Sequence, residues 1–284
     1  MPARALVAVG VGDQTPAMFT DARFRALGVE YARLSVAWDA LEDPRERRTI
    51  SAWLDAAQAD GVSPLVTFDR ARRRRSRVLP SPARFEREFR RFHAAYPEVT
   101  DYATWNEANY SGERTYRRPA LVAAYYRRMR RVCPTCNILG AELLDVSNMV
   151  SWVHAFKHAL HGEPEIWGLH NYVGANRLQT VTTRELLAVT SVPIWFTETG
   201  GVISRHNHSS TGFPMSAVHA AKVMSFLFHR LVRLSARIER IYIYQWDGGG
   251  PKASWDSGLI APNGRARPGY AVFAHELRAF DAAG

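Results

Sequence analysis

The sequence predicts an α/β fold, a (β/α)8 TIM barrel that forms a single domain over residues 1–284. Its length of 284 residues is close to the roughly 250 typical of one such barrel. Short apolar runs rich in β-forming residues alternate with longer segments of helical periodicity, a pattern typical of βα units and a parallel sheet. Eight such units can be counted, and no linker or internal repeat divides them.

The predicted strands are each about five residues long, the usual length in globular proteins. In chain order they are Ala5–Val9, Tyr31–Val36, Ser63–Phe68, Asp101–Trp105, Asn137–Ala141, Ile166–Asn171, Ile194–Thr197 and Arg240–Gln245. The long loops that follow the third and seventh strands, Arg70–Ser81 and Gly200–Pro214, belong to the carboxyl-terminal face of a barrel, where active sites are built.

A helix is predicted in each unit. These helices are Asp21–Leu27, Ser51–Asp60, Pro82–Ala94, Pro119–Val132, Val146–His158, Thr183–Leu187, Ser216–Leu234 and Pro268–Phe280. Ser51 suits an N-cap, and Gly28 and Gly61 follow their helices as C-terminal caps. Proline is tolerated in a first helical turn because the missing N–H costs nothing there, as at Pro82, Pro119 and Pro268.

Composition and charge narrow the class of protein. The 46% hydrophobic and 23% charged content is ordinary for a soluble globular chain, and no apolar run approaches the about 20 residues of a membrane span. The net charge of +10 favours acidic partners such as an anionic polysaccharide, a cell envelope or nucleic acid. Nucleic acid is disfavoured because the arginine run Arg70–Arg77 lacks interleaved aromatic residues and any helix-turn-helix pattern.

Neither a metal nor a cofactor is expected. His206 and His208 have no third ligand nearby in the sequence, and no glycine-rich phosphate loop follows a strand. Cys133 and Cys136 form a CPTC pair without the second pair of a zinc site. Either a local disulfide or two plain thiols fits this spacing better than a redox motif does.

The beginning of the chain bears on location. The segment LVAVGVG is apolar but short, and Asp13 and Gln14 follow it in place of a cleavage site, so it is interpreted as the first strand and not as a signal peptide. The protein is secreted or in the cell envelope if an export signal was trimmed, and cytoplasmic otherwise. A monomer is expected.

Two glutamates follow predicted strands. The fourth strand ends in TWNEAN and the seventh in WFTETG, which places Glu107 and Glu198 at the carboxyl-terminal face of the barrel. Cleavage of a glycosidic bond requires such a pair: one acid protonates the leaving oxygen, and one carboxylate attacks the anomeric carbon or activates water.

With this pair, the whole chain resembles the clan A glycoside hydrolases, whose catalytic acids lie at the ends of strands four and seven. WNEAN is similar to the WNEP-type motif of family 39 and related enzymes, with Ala108 where proline is common. The resemblance implies that Glu107 is the acid/base, that Glu198 is the nucleophile, and that Asn106 donates to the 2-hydroxyl of the sugar.

Four further residues are candidates for the substrate site. Arg33 in YARLSVAW resembles the arginine beneath the nucleophile in the clan; otherwise it points outward to the helices. His170 and Tyr172 in GLHNY share one face, and either would bond the nucleophile; packing residues are the alternative. Trp246 in IYIYQWDGGG is expected to form the floor of the sugar site, since sugars stack on aromatic rings, or else to lie in the core.

The predicted function is hydrolysis of an oligosaccharide or polysaccharide with retention of anomeric configuration, which makes the barrel one catalytic domain. A transglycosylase with the same two glutamates, and a non-catalytic barrel that binds glycan at the cell surface, are the alternatives. Arg72–Arg75 lie in a loop of the active face and are hypothesised to select an acidic or phosphorylated glycan. The sugar, the linkage and the internal or terminal point of cleavage stay open.

Overall fold

The strands of the barrel follow one another around the sheet in chain order. A computed structural model describes residues 7–72, 78–205, 212–250 and 252–281. The strands are β1 (Ala8–Gly12), β2 (Tyr31–Ala37), β3 (Ser63–Asp69), β4 (Asp101–Ala103), β5 (Asn137–Leu144), β6 (Ile166–His170), β7 (Ile194–Thr199), β8 (Ser204–Arg205), β9 (Ile238–Tyr244) and β10 (Trp255–Asp256). Strands β1–β7 and β9 pair in parallel and close into a barrel, while β8 and β10 form a short antiparallel pair.

Helices follow the barrel strands. They are α1 (Ala22–Arg25), α2 (Pro44–Ala59), α3 (Pro82–Ala95), α4 (Pro119–Val132), α5 (Met149–Leu160), α6 (Tyr172–Asn176), α7 (Val181–Val189), α8 (Ala217–Phe226) and α9 (Pro268–Asp281). A π-helical turn, Leu227–Leu231, continues α8. The prediction of a single-domain (β/α)8 barrel is therefore confirmed.

Local chemistry accounts for the helix ends. The second helix begins at Pro44, because the side chain of Asp43 accepts a hydrogen bond from the Arg45 amide at 2.9 Å and so caps the first turn. The prediction that Ser51 is the N-cap is therefore wrong; its hydroxyl bonds the Tyr96 hydroxyl at 2.9 Å instead. Gly28 and Gly61 have φ angles of 65° and 69°, as expected of C-terminal caps.

The core has two parts. Between the strands and the helices lies the larger one, which contains buried rings such as Phe24, Trp53 and Phe85. Inside the barrel, at the amino-terminal ends of the strands, the smaller cluster consists of Leu65, Ala103, Leu139, Ile166, Trp195 and Tyr242. This apolar plug closes one end of the barrel and leaves the carboxyl-terminal end for polar groups.

The two cysteines, the long loops and the helices were each the subject of a sequence prediction. Cys133 and Cys136 are joined by a disulfide between α4 and β5, which settles the choice that the sequence left open. Arg73–Arg77, His206 and His208 lie outside the described residues. Within the described ranges, no helix combines the length and the apolar character needed to cross a bilayer.

Candidate active site

Glu107 and Glu198 face each other at the carboxyl-terminal end of the barrel. A carboxylate oxygen of each, together with a ring nitrogen of His170, lies within 4.8 Å of the other two atoms. Their side chains are 25% and 12% exposed, so both carboxylates can be reached from solvent. Retaining glycosidases hold their carboxyl groups about 5–5.5 Å apart, and inverting ones about 6.5–9.5 Å apart. Here the nearest oxygens of Glu107 and Glu198 are at most 4.8 Å apart.

The backbone at Glu107 is strained. Its φ of 43° lies in the left-handed region that a residue with a side chain rarely adopts. Hydrogen bonds on both sides hold this conformation: Asn106 N donates to Phe68 O at 2.8 Å, and Ala108 N donates to Glu142 O at 2.9 Å. Proline has no N–H for the second bond, so alanine at position 108 suits this site. Strain of this kind is concentrated at functional sites.

Arg33 is fully buried inside the barrel and joins several site residues. Its Nη1 donates to Glu198 Oε1 at 2.6 Å, its Nη2 to Asn106 Oδ1 at 2.9 Å, and its Nε to Glu142 Oε1 at 2.8 Å. Neighbouring carboxylates raise the pKa of Arg33 further above its usual value, despite burial that acts to lower it. The sequence placed this guanidinium beneath Glu198, and it lies there.

Glu142 belongs to the same network and was not among the sequence candidates. It is fully buried on β5, where its Oε1 also accepts from the Thr67 hydroxyl at 2.9 Å. Burial alone would raise the pKa of Glu142, but Arg33 and His170 outweigh it and lower the pKa to about 2. Glu142 directly follows the predicted fifth strand, Asn137–Ala141. That position at a strand end could have identified it as a candidate site residue.

His170, at the end of β6, lies among three carboxylates. Its Nδ1 is 3.4 Å from Glu107 Oε1 and 3.7 Å from Glu198 Oε2, and its Nε2 is 3.4 Å from Glu142 Oε2. Burial acts to lower the pKa of His170, but Glu198, Glu107 and Glu142 raise it to about 10. The ring is therefore a cation at neutral pH. Glu107, His170 and Glu198 also have the spacing of metal ligands.

Tyr172 begins α6, directly after β6. Its hydroxyl donates to Glu198 Oε2 at 3.1 Å, while Arg33 holds the other oxygen. Burial raises the pKa of Tyr172 well above its usual value, and the negative charge of Glu198 adds to this effect, so the phenol keeps its proton. Its ring also meets Trp255 edge to face, with 4.8 Å between centroids. Glu198 is thus held at both oxygens.

The structure places Trp246 away from the cleft. Its ring is 1% exposed and meets Phe24 and Tyr270 edge to face, with centroids 5.4 and 5.9 Å apart. The last barrel strand ends at Tyr244, so the alternation of faces stops there and the indole packs between barrel and helices. Of the two alternatives for Trp246, the floor of the sugar site or the core, the structure shows the core.

Tyr244 has the surroundings expected of a site residue. Burial raises its pKa, and the charges of Glu198, Asp13 and Glu107 raise it further while that of Arg33 lowers it. A Cβ atom added at Gly12 would lie only 3.1 Å from a carbon of the Tyr244 ring, so the ring packs closely over that glycine. The sequence offered Tyr242, Tyr244 and Trp246 with the same two-residue period, so periodicity alone did not distinguish them.

Two further acids border Glu107. Burial raises the pKa of Asp69 to about 6 and that of Glu113 to about 7, and the charge of Glu107 contributes to both shifts. Arg70 Nη1 donates to Glu113 Oε1 at 2.8 Å. The side of the cleft that carries Glu107 is therefore acidic, with Arg70 as partial compensation.

The fold is shared with known glycoside hydrolases. A glucosidase from Croceicoccus marinus matches with a TM-score of 0.70 at 12% identity, over 98% of this chain and 68% of that one. A family 39 glycoside hydrolase from Bacteroides cellulosilyticus matches with a TM-score of 0.62 at 15% identity, over 96% of this chain and 64% of that one. A structure of xylanase A from P fluorescens subsp. cellulosa in complex with xylopentaose matches with a TM-score of 0.63 at 14% identity. The match covers 97% of this chain and 98% of that one.

At such identities the likeness concerns the fold. No protein-family model and no curated protein sequence matches the chain. The chain spans 64% of the length of the family 39 structure, so that protein contains parts with no counterpart among these 284 residues.

Proposed function

We propose that the protein is a retaining glycoside hydrolase that cleaves O-glycosidic bonds of an oligosaccharide or polysaccharide. The observation that carries this proposal is the pair Glu107 and Glu198, with carboxylate oxygens within 4.8 Å of each other. One member of the pair is held by Arg33 and Tyr172 through separate oxygens. The nearby xylanase structure binds xylopentaose, and its fold is the one observed here.

In the first step, Glu198 attacks the anomeric carbon and the bond to the leaving oxygen breaks. Glu107 gives its proton to that oxygen, so the leaving sugar departs as an alcohol and a covalent glycosyl-enzyme remains. Arg33 and Tyr172 orient the attacking carboxylate. Asn106, whose Oδ1 is occupied by Arg33, keeps its amide N–H groups for the 2-hydroxyl of the sugar.

In the second step, Glu107 takes a proton from water, and the resulting hydroxide attacks the anomeric carbon and releases Glu198. Two inversions give net retention. The positioned proton transfer contributes on the order of 10²–10⁴-fold to the rate. His170, as a cation beside both carboxylates, offsets their mutual repulsion throughout the cycle.

Transglycosylation uses the same two steps with a sugar in place of water, and no observation favours it over hydrolysis. A binding protein without activity would not require a strained Glu107 beside a doubly anchored Glu198. Hydrolysis therefore fits the geometry best.

The test is turnover of a panel of aryl glycosides and polysaccharides by wild type, Glu107→Ala and Glu198→Ala. Both substitutions are expected to lower kcat by at least about 10²-fold. Azide should restore turnover of activated aryl glycosides by Glu107→Ala with formation of a β- or α-glycosyl azide of retained configuration. Full turnover by either variant would refute the roles, and an inactive wild type would favour a binding protein.

A further inference from the structure

Asp145 is a buried carboxylate that directly follows β5, at the same end of the barrel as the candidate site. It is 1% exposed, so a substrate does not reach it. Its Oδ1 accepts from the Val173 amide at 2.9 Å and its Oδ2 from the Gly174 amide at 2.6 Å, and the Thr182 hydroxyl donates to Oδ2 at 2.9 Å. Burial raises the pKa of Asp145 to about 6, against the effect of these hydrogen bonds. At neutral pH the side chain is therefore a carboxylate that accepts from three donors.

These contacts hold the chain on both sides of Tyr172. The two amides that bind the Asp145 carboxylate belong to the residues after the tyrosine, and before it the Asp145 amide donates to the His170 carbonyl at 3.3 Å. The fit is close, because a Cβ atom added at Gly174 would lie 3.2 Å from Asp145 Oδ2. The Tyr172 hydroxyl donates to Glu198 Oε2 at 3.1 Å. Its direction is therefore set by backbone that Asp145 holds.

The far end of the short helix α6 is anchored as well. The side chain of Asn176 is fully buried. Its Nδ2 donates to Tyr172 O at 2.9 Å and to Gly200 O at 3.0 Å, and its Oδ1 accepts from Val202 N at 2.8 Å. Gly200 is two residues beyond Glu198 along the chain. The helix is therefore tied at one end to the segment after β7 and at the other to the end of β5.

The position of Asp145 is itself fixed from the loop that carries Glu107. The Asn109 side chain donates from Nδ2 to Leu144 O at 2.9 Å and accepts at Oδ1 from Leu144 N at 2.8 Å. Leu144 precedes Asp145, and Asn109 is two residues beyond Glu107. Hydrogen bonds therefore run from the loop of the candidate acid/base through Asp145 to Tyr172.

We infer that Asp145 is a positioning residue for the nucleophile, because it aims the Tyr172 hydroxyl at Glu198 without touching the sugar. The inference rests on the proposed hydrolase function, in which Glu198 attacks the anomeric carbon. Arg33 binds Oε1 of that carboxylate, and the tyrosine binds Oε2. A change in the direction of Tyr172 would reach the reaction through this second oxygen.

The test is a double-mutant cycle. Asp145→Asn keeps the shape of the side chain but replaces one acceptor oxygen with an NH₂ group, and Tyr172→Phe removes only the hydroxyl. Both kcat and KM of wild type, the two single variants and the double variant are measured on the aryl glycoside that wild type cleaves fastest. The control is Glu163→Gln, since Glu163 likewise accepts from a backbone amide and two hydroxyls, those of Ser191 and Thr190. It precedes β6, at the opposite end of the barrel.

Asp145→Asn is expected to lower kcat on the order of tenfold with KM near wild type, because a catalytic group is misplaced. Glu163→Gln should leave both constants unchanged. Residues that act as a unit have non-additive effects, so Asp145→Asn should lower kcat no further in the Tyr172→Phe background. A wild-type kcat in Asp145→Asn, or a loss in the double variant equal to the product of the two single losses, would overturn the inference.

Thr182→Val is the milder variant for the case in which Asp145→Asn does not fold. It removes one donor to Asp145 and leaves the carboxylate in place. It should lower kcat when Tyr172 is present and have no effect in the Tyr172→Phe background. A wild-type kcat, or an equal loss in both backgrounds, would overturn the inference.

Hydrogen exchange of the peptide that contains residues 172–176 separates this inference from the hydrolase proposal. One of the Val173 and Gly174 amides loses its acceptor in Asp145→Asn, so exchange should be about tenfold faster or more, and it should be unchanged in Glu163→Gln. If wild type cleaves no substrate, faster exchange in Asp145→Asn would retain the positioning of Tyr172, and only the hydrolase proposal would fail. Unchanged exchange would overturn the inference whether or not wild type is active.

Discussion

Single residues at the centre of the barrel form an alternating network of charges. Glu107, Glu142 and Glu198 are separated by Arg33 and His170, so that each carboxylate has a cation within 3.4 Å. Three of these groups, Arg33, Glu142 and His170, are wholly buried, and removing one of them would leave buried charge uncompensated. The network therefore holds the two candidate catalytic carboxylates in place.

The charge of His170 gives the stability of the protein a defined pH dependence. Its pKa is raised from 6.5 to about 10, so its contribution is complete below pH 6.5 and is lost as pH rises to about 10. The pKa of Glu142 is lowered from 4.5 to about 2, so its contribution is complete above pH 4.5 and is lost as pH falls toward 2. The free energy of unfolding in urea should therefore be greatest between pH 4.5 and pH 6.5, where both contributions are complete.

The variant His170→Gln should reduce the alkaline loss of unfolding free energy between pH 6.5 and 10 relative to wild type. The exposed His275 provides a matched control, and His275→Gln should leave the curve unchanged. If the unfolding free energies of wild type and His170→Gln changed with pH in the same way, His170 would not be held as a cation.

Strand ends are the elements on which the site depends. Strand β5 continues to Leu144 and β7 to Thr199, and each passes a register shift next to the site. These irregularities place Glu142 and Glu198 toward the inside of the barrel. A bulge of this kind re-aims a side chain, and it has no signature in hydrophobic periodicity.

This explains which parts of the molecule could be predicted from the sequence. Alternating apolar runs were sufficient for the barrel, and TWNEAN and WFTETG for the two carboxylates, because the pattern repeats and the motifs are local. Glu142 was missed because its strand was ended at Ala141, one residue early. Trp246 was misplaced because the end of β9 at Tyr244 depends on contacts with distant loops.

Two aromatic residues at and just beyond the end of β9, Tyr244 and Trp246, are expected to affect activity and stability respectively. Trp246→Ala should lower the free energy of unfolding by about 3–5 kcal/mol, because its ring is packed in the core, while KM of the folded protein stays near wild type. Tyr244→Ala should raise KM or lower kcat/KM on the order of tenfold, since its ring faces the carboxylates and would stack on the sugar. Urea unfolding and steady-state kinetics of both variants provide the comparison; a reversed pattern would restore Trp246 as the floor.

At the scale of the whole molecule, the two ends of the barrel have different tasks. The carboxyl-terminal end carries the candidate catalytic groups. At the amino-terminal end, Arg240 lies over the rings of Tyr31 and Trp195, at 4.0 and 3.8 Å from their centroids, and pairs with Asp101. Residues at this end of a barrel contribute to stability and not to chemistry.

Arg240→Met should therefore lower the free energy of unfolding by about 3–5 kcal/mol, because Asp101 stays buried without its cation. The kcat of the folded fraction should be unchanged. Adding Asp101→Asn should recover part of the lost stability, since it removes the unpaired charge. A loss of kcat without a loss of stability would contradict this division between the two ends.

The most direct test of the central claim is to trap the covalent intermediate. Incubation with a panel of 2-deoxy-2-fluoroglycosyl fluorides, followed by proteolysis and mass spectrometry, should find one sugar attached to the peptide that contains Glu198 and no sugar in Glu198→Ala. Glu107→Ala should still be labelled, because fluoride departs without a proton from the acid. A sugar on a different residue, or turnover of these substrates with no labelled peptide, would contradict Glu198 as the nucleophile and retention as the mechanism.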